Sequence, residues 1–338
     1  MTWLDNSRIL AIFAVVVLHV AAGVVTGNEI GSEYWWIGNI YNSLVRWCVP
    51  VFVMISGALM LDTSKNEELT VFYKKRLSRI LIPIIVWSVF YSAWAVLKAS
   101  IKGEQLYLID LLNRVLSGMP HYHMWFLYMI LIMYLLTPFF RPIVANFSKR
   151  DLTLLTVFTF LLAAINFAYI MVTSAEPRPA LFINWFLLYI PYYFLGHLIR
   201  EDDVPRSSVL LWSTFVVSAL VTSVGCYLVS TRIGLDSGLY FYGYLSVSVI
   251  PMSISTMYLL KKISTPIISS EFTKKMSALT LGVYLIHPVL LETINQLGYG
   301  ANDYKYSFSV PIIASIIFAS SLTIAWGIYS VSYLKRII

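Results

Sequence analysis

RILAIFAVVVLH, residues 8–19, sets an arginine, ten uncharged residues and a histidine in one line. With the residues that follow it forms an apolar stretch from 8 to 27, and about 20 such residues carry a helix across roughly 30 Å of hydrocarbon. Backbone polar groups find no water at that depth, so the segment has to bond internally, as a helix does. A plain anchor has no use for a titratable ring there. At 3.6 residues per turn, Arg8 and His19 return to within about 20° of each other on one helix face, roughly 16 Å apart along the axis. The arginine then lies at the membrane surface and the histidine near mid-depth.

The rest of the chain reads the same way. It has 338 residues, 59% hydrophobic and 12% charged, with a mean hydropathy of +0.75, outside the range of soluble globular proteins. The length criterion gives ten spans, at 8–27, 37–61, 80–101, 123–140, 152–173, 181–200, 207–230, 239–260, 278–299 and 308–334. The expected fold is an all-α polytopic membrane protein, one membrane-embedded domain over 1–338. The first stretch is too long and too weakly basic at its amino end for a cleaved signal peptide. The loop at 62–79 holds Lys65, Lys74, Lys75, Arg76 and Arg79, whereas 28–36 holds no basic residue. That asymmetry puts both termini in the cytoplasm. The net charge of +7 therefore reports topology and gives no reason to expect nucleic acid as a partner.

Ionisable groups at membrane depth are costly and mark candidate sites. His287, in TLGVYLIHPVLLE, stands ten residues into the ninth span, at the depth of His19. Two histidines at one level on different helices can line one cavity, although Pro288 can kink the helix and shift the facing. Near mid-membrane, a neutral imidazole at His19 can take a proton from an attacking hydroxyl; packing against a neighbouring helix is the alternative. Glu292 lies five residues past His287, well around the helix, and a direct pair is not expected. Arg46 follows Asn39, Asn42 and Ser43 on one side of the second span. Its guanidinium suits an anion, a developing oxyanion, or the joining of helices. His123 and Trp125, in HYHMWFLYM, are predicted near the outer surface, away from the deep histidines.

FYKKRLSRILIP, residues 72–83, concentrates Lys74, Lys75, Arg76 and Arg79 directly before the third span. The cluster suits anionic headgroups or a polyphosphorylated ligand. No metal-ligand spacing, nucleotide-binding glycine loop or nucleophile elbow is present, and Cys48 and Cys226 are isolated thiols suited to packing. The aromatics of the outward segments suit an interfacial belt or stacking surfaces for sugar rings.

WLDNSRILAIFAVVVLH at 3–19, RWCVPVFVMISGALML at 46–61, KKRLSRILIP at 74–83, HMWFLYMILIMYLLTPFFR at 123–141, YYFLGHLI at 192–199 and LTLGVYLIHPVLL at 279–291 together resemble, in order, the acyltransferase 3 family of integral membrane acyltransferases. The length resembles short bacterial members that modify surface polysaccharides. The resemblance implies a multi-pass protein of the bacterial inner membrane. It further implies transfer of an acyl group, usually acetyl, from cytoplasmic acyl-CoA to a hydroxyl of a lipid-linked oligosaccharide or surface polysaccharide, with acetyl-CoA as donor and no metal. Arg8 and His19 would be the essential pair, with Arg46 and His287 beside them. Lys74, Lys75, Arg76 and Arg79 would hold the CoA phosphates, and Asn39, Asn42, His123 and Trp125 would face the acceptor. A carrier or glycan flippase with a midplane polar site is the rival reading, and a scaffold subunit with buried polar glue a third.

Overall fold

The computed structural model describes residues 1–64, 67–173 and 182–338, without the side chains of 171–173. Lys65 and the turn between the fifth and sixth predicted spans lie outside them. The described residues form helices and no strands: α1 (Thr2–Gly27), α2 (Glu33–Leu44), α3 (Cys48–Met60), α4 (Leu69–Lys102), α5 (Leu108–Leu116), α6 (Trp125–Asn146), α7 (Lys149–Thr173), α8 (Trp185–Arg200), α9 (Ser208–Ile233), the four-residue α10 (Leu235–Gly238), α11 (Val249–Lys261), α12 (Ser270–Gln296) and α13 (Ser309–Ser330). Among the described residues nine helical segments, with α2 and α3 taken together, are long and apolar enough to cross a membrane.

Two predicted spans depart from single helices. The span at 37–61 breaks at Val45–Trp47. Pro50 supplies the reason, since its ring collides with the carbonyl four residues back and it has no N–H to donate, so the helix restarts with Pro50 in its first turn. The span at 239–260 is a 3₁₀ turn at Leu239–Tyr242, an irregular stretch, and α11, whose 13 residues are too few to cross alone. Such backbone survives at depth only where protein covers it. Here Tyr192 Oη donates to the Tyr244 carbonyl at 2.6 Å and Arg46 Nη1 to that of Tyr242 at 3.1 Å.

Helix α1 is the central post, packed against α2, α3, α11, α12 and α13. Its buried face runs from Leu4 to Val25. Helices α3 and α8 cross at glycines: a Cβ on Gly57 would stand 1.8 Å from the Tyr193 carbonyl oxygen, and one on Gly196 1.9 Å from that of Met54. Small residues let the two backbones meet, as at close helix crossings in membranes.

Contacts between loops sort by the sides the charges assign. On the predicted cytoplasmic side Asn6 donates to the carbonyls of Ile263 and Thr265, Arg200 pairs with Asp62 at 3.1 Å, and Lys149 and Arg206 pair with Asp202. On the opposite side Asn28 bonds Asn302, and Tyr34 donates to the Ala301 carbonyl.

Candidate active site

Four histidines from three places in the chain converge beside α1. The His19 ring stacks on His287 of α12 at 5.2 Å between centroids, and His287 meets His123 edge-on at 5.7 Å. His121 Nδ1 lies 3.0 Å from His123 Nδ1. The expectation that His123 stays away from the other two histidines fails. The chain after α5 turns at Gly118, whose φ of +74° is left-handed, and dips inward before α6 starts. Tyr284 of α12 secures the dip by donating to the His123 carbonyl.

Each ring has a local reason for its orientation. His287 Nδ1 donates to the carbonyl of Val283 at 3.0 Å, one turn back on its own helix. Pro288 follows, and its missing N–H leaves the Tyr284 carbonyl without its ladder bond, so the facing of His287 belongs to the opened turn. With Nδ1 as donor the neutral ring keeps a lone pair on Nε2, and this atom is buried without a partner. His123 Nε2 is buried and unpartnered as well. His121 Nε2 reaches Glu292 Oε1 at 2.9 Å, while Glu292 Oε2 accepts from Trp94 Nε1 at 2.6 Å and Lys98 Nζ at 2.7 Å. Glu292 thus serves His121 and not His287.

His287 and His123 are closed off, but His19 keeps accessible surface deep within the protein. Tyr122, whose ring is 5.0 Å from His19, is 39% exposed. Arg46, Trp125, Tyr189 and Tyr244 are also only half-buried. These partly accessible side chains make up the candidate cleft beside the imidazole. The Trp125 ring lies near parallel to Tyr244 at 6.0 Å and 5.5 Å from Tyr189.

The α2–α3 break delivers Arg46 to this place, within electrostatic range of His19. Its Nε donates to Asn42 Oδ1 at 2.6 Å, its guanidinium lies 4.1 Å above the Tyr242 ring, and Tyr244 lies against it. No carboxylate pairs with it among the described residues. Asn39 and Asn42 stand outside the cleft. Both are fully buried; Asn39 bonds the Ser223 carbonyl, Ser43 and Tyr242, and Asn42 bonds the Leu18 carbonyl and Arg46. They join α2 to α1, α9 and the 3₁₀ turn at Leu239–Tyr242, so in this structure their polar groups meet protein partners.

At the predicted cytoplasmic end of α1, Arg8 Nη1 lies 3.4 Å from Ser277 Oγ and 3.7 Å from Asp5 Oδ1. On α4, Lys74, Lys75 and Arg79 are exposed and Arg76 is half-buried with an unpartnered Nε. Lys75 pairs with Glu67 at 3.0 Å, and that hydrogen bond holds the Glu67 carboxyl below its usual range. Nearby, burial raises the Asp62 carboxyl, but hydrogen bonds from Ser64 and Arg200 outweigh it and hold it at about 2. Among the described residues no group of three or more His, Cys, Asp or Glu could hold a metal ion. Sequence reading gives no site role to His121, Tyr189, Tyr244, Trp94 or Lys98, and places Tyr122 among the outward aromatics. The HYH pattern and two charged residues inside spans, Lys98 and Glu292, were the available signals.

A comparison with curated proteins gives no match, and neither does one with solved structures. The family model described as "Acyltransferase domain" matches residues 1–330. Covering nearly the whole bundle and every residue of the cleft, that match establishes that the chain belongs to the acyltransferase 3 family and is a multi-pass membrane acyltransferase.

Proposed function

We propose that the protein moves an acyl group, acetyl in the first instance, from cytoplasmic acyl-CoA to a hydroxyl of a lipid-linked or exported cell-surface glycan, with His19 as general base, in the bacterial inner membrane. The observation that carries this reading is an imidazole with accessible surface deep in the bundle, beside a guanidinium that no carboxylate pairs with among the described residues. A half-buried cation without a carboxylate partner is costly inside a helical bundle. Its charge is useful where a carbonyl oxygen turns negative during acyl transfer.

Geometry supports a direction of entry. The exposed cations of α4 offer forked and point-charge contacts to CoA phosphates at the cytoplasmic end. Arg8 marks the same end of α1, and the pantetheine arm then spans the roughly 16 Å to His19. The acceptor enters from the outer side past Trp125, Tyr189 and Tyr244, whose faces suit the apolar face of a sugar ring. In the transfer step the acceptor hydroxyl gives its proton to His19 as the new O–C bond forms. The C–S bond breaks, and His19 returns the proton to the departing thiolate. His287, stacked on His19, orients that ring.

Purified protein incubated with labelled acetyl-CoA and candidate lipid-linked glycans tests the reading. Label should move to glycan, and His19→Ala should abolish transfer in protein that still elutes as a folded species. Transfer that survives the substitution removes His19 as the base, and glycan movement without acylation favours a carrier.

A further inference from the structure

Helix α5 reads LIDLLNRVL over Leu108–Leu116, and none of its residues is fully buried. At about 100° per residue, Leu108, Leu112, Leu116 and Ile109 share one arc roughly 100° wide, and they are 48–71% exposed. Leu111 and Val115, half-buried, border that arc on one side. Asp110, Asn113 and Arg114 take the opposite side of the helix. A contiguous apolar face left in water is a liability, and nine residues are too few to cross a bilayer. Both ends of α5 are held at the rims of spanning helices. The chain after α4 folds back on its last turns, where a groove of about 300 Å³ is lined by Val96, Ala99 and Ser100 of α4 and by Glu104, Leu106 and Tyr107. At the other end, a Cβ on Gly118 would stand 3.3 Å from the Tyr128 Cβ in the first turn of α6. The helix therefore runs along the bundle edge at the end opposite Lys74–Arg79, beside the turns of α4 that carry exposed Leu97 and Ile101. Because α4 crosses the membrane, those two side chains face lipid, and the apolar arc of α5 continues their surface.

We propose that α5 is an interfacial anchor: it lies flat on the leaflet at that end, with Leu108, Ile109, Leu112 and Leu116 sunk into the boundary between headgroups and acyl chains, and Asp110, Asn113 and Arg114 toward water. Its partner is a lipid surface without net charge. From Lys102 to Leu116 the charges cancel, Lys102 and Arg114 against Glu104 and Asp110. Apolar burial therefore holds the helix, and attraction to anionic headgroups adds nothing. Asp110 is also occupied locally, its Oδ2 accepting from the Tyr107 N–H at 3.1 Å. The opposite end of α4, with its four cations, has the reverse character. The anchor bears on the cleft as well. The chain leaves α5 through Gly118 and reaches His121 and Tyr122 within four residues, so a helix pinned to the leaflet sets where that segment begins its descent. None of this depends on which reaction the cleft performs.

The test uses the full chain in lipid nanodiscs, with a nitroxide on one added cysteine: Ile109→Cys, Leu112→Cys or Asn113→Cys. Cys48 and Cys226 are buried, and wild-type protein treated with the label supplies the background. Collision with oxygen, which concentrates in lipid, and with a water-soluble nickel chelate gives the depth of each label. The Ile109→Cys and Leu112→Cys labels should lie roughly 5–10 Å into the headgroup and acyl boundary, whereas the Asn113→Cys label should meet the chelate freely. Nanodiscs of phosphatidylcholine, and of phosphatidylcholine mixed with phosphatidylglycerol, should give the same depths, unchanged by salt. If the Ile109→Cys and Leu112→Cys labels meet the chelate as freely as the Asn113→Cys label, the helix stands in water and the proposal is overturned. Shielding of those two labels from both reagents would mean that protein or a second copy covers the face, and overturns it equally. So does an Asn113→Cys label as deep as the others, or a depth reached only with phosphatidylglycerol.

Discussion

Replacing Arg46 with methionine removes the cation while keeping most of the side-chain volume. In the folded state the change leaves Asn42 Oδ1 and the Tyr242 carbonyl without the bonds they receive at 2.6 and 3.1 Å. Each loss costs about 1–3 kcal/mol. The opposite term is the desolvation of a half-buried guanidinium that has no carboxylate partner among the described residues, a few kcal/mol in favour of the neutral side chain. These nearly cancel, so Arg46→Met should fold, with a melting temperature within several degrees of wild type. Catalysis has no such compensation. A donor aimed at a developing oxyanion is worth roughly 10²–10³ in kcat, about 3–4 kcal/mol. Steady-state acetyl transfer should therefore show kcat down by that factor and KM for acetyl-CoA changed less than about threefold. Arg46→Lys, which keeps charge but loses the fork, should fall between. Folded Arg46→Met with more than about a third of wild-type kcat would refute the assignment of this cation to the transition state.

Other expectations follow from single features. Gly57→Ala places a methyl 1.8 Å from the Tyr193 carbonyl; it should cost on the order of 3 kcal/mol or more, visible in thermal unfolding in detergent. Neutralising Lys74, Lys75 and Arg79 with glutamine should weaken CoA binding about tenfold or more and flatten its dependence on salt, as read by calorimetry at two ionic strengths. The Asp62 carboxyl, held at about 2 in the fold, is depressed relative to an unfolded carboxyl near 3.9. Its contribution is therefore complete above about pH 4 and disappears as pH falls through about 2, on the order of 2 kcal/mol in total. Asp62→Asn should flatten the loss of melting temperature between pH 5 and pH 2.5.

What the sequence revealed follows from which physical signals are local. Apolar run length is local, so the spans were legible, and the common level of His19 and His287, which stack on each other, followed from counting along their helices. Pro50 was a local signal too, but an unbroken apolar run outweighed it. The polar spacing of Asn39, Asn42 and Arg46 cannot distinguish a lining from a seam, because both present one helix face. In the structure the asparagines went to the seam and Arg46 to both. His123 was misplaced because counting from a span boundary treats that boundary as flat, whereas the turn at Gly118 carries the chain inward. The His121–Glu292 bond joins residues 171 positions apart, and nothing local announces it.

A structure with CoA bound tests the central claim most directly. The account predicts phosphates at the cytoplasmic end near Lys74–Arg79 and the sulfur within about 4 Å of a His19 ring nitrogen. A sulfur that ends elsewhere, or a His19 ring sealed behind packed side chains with the cofactor in place, would contradict it.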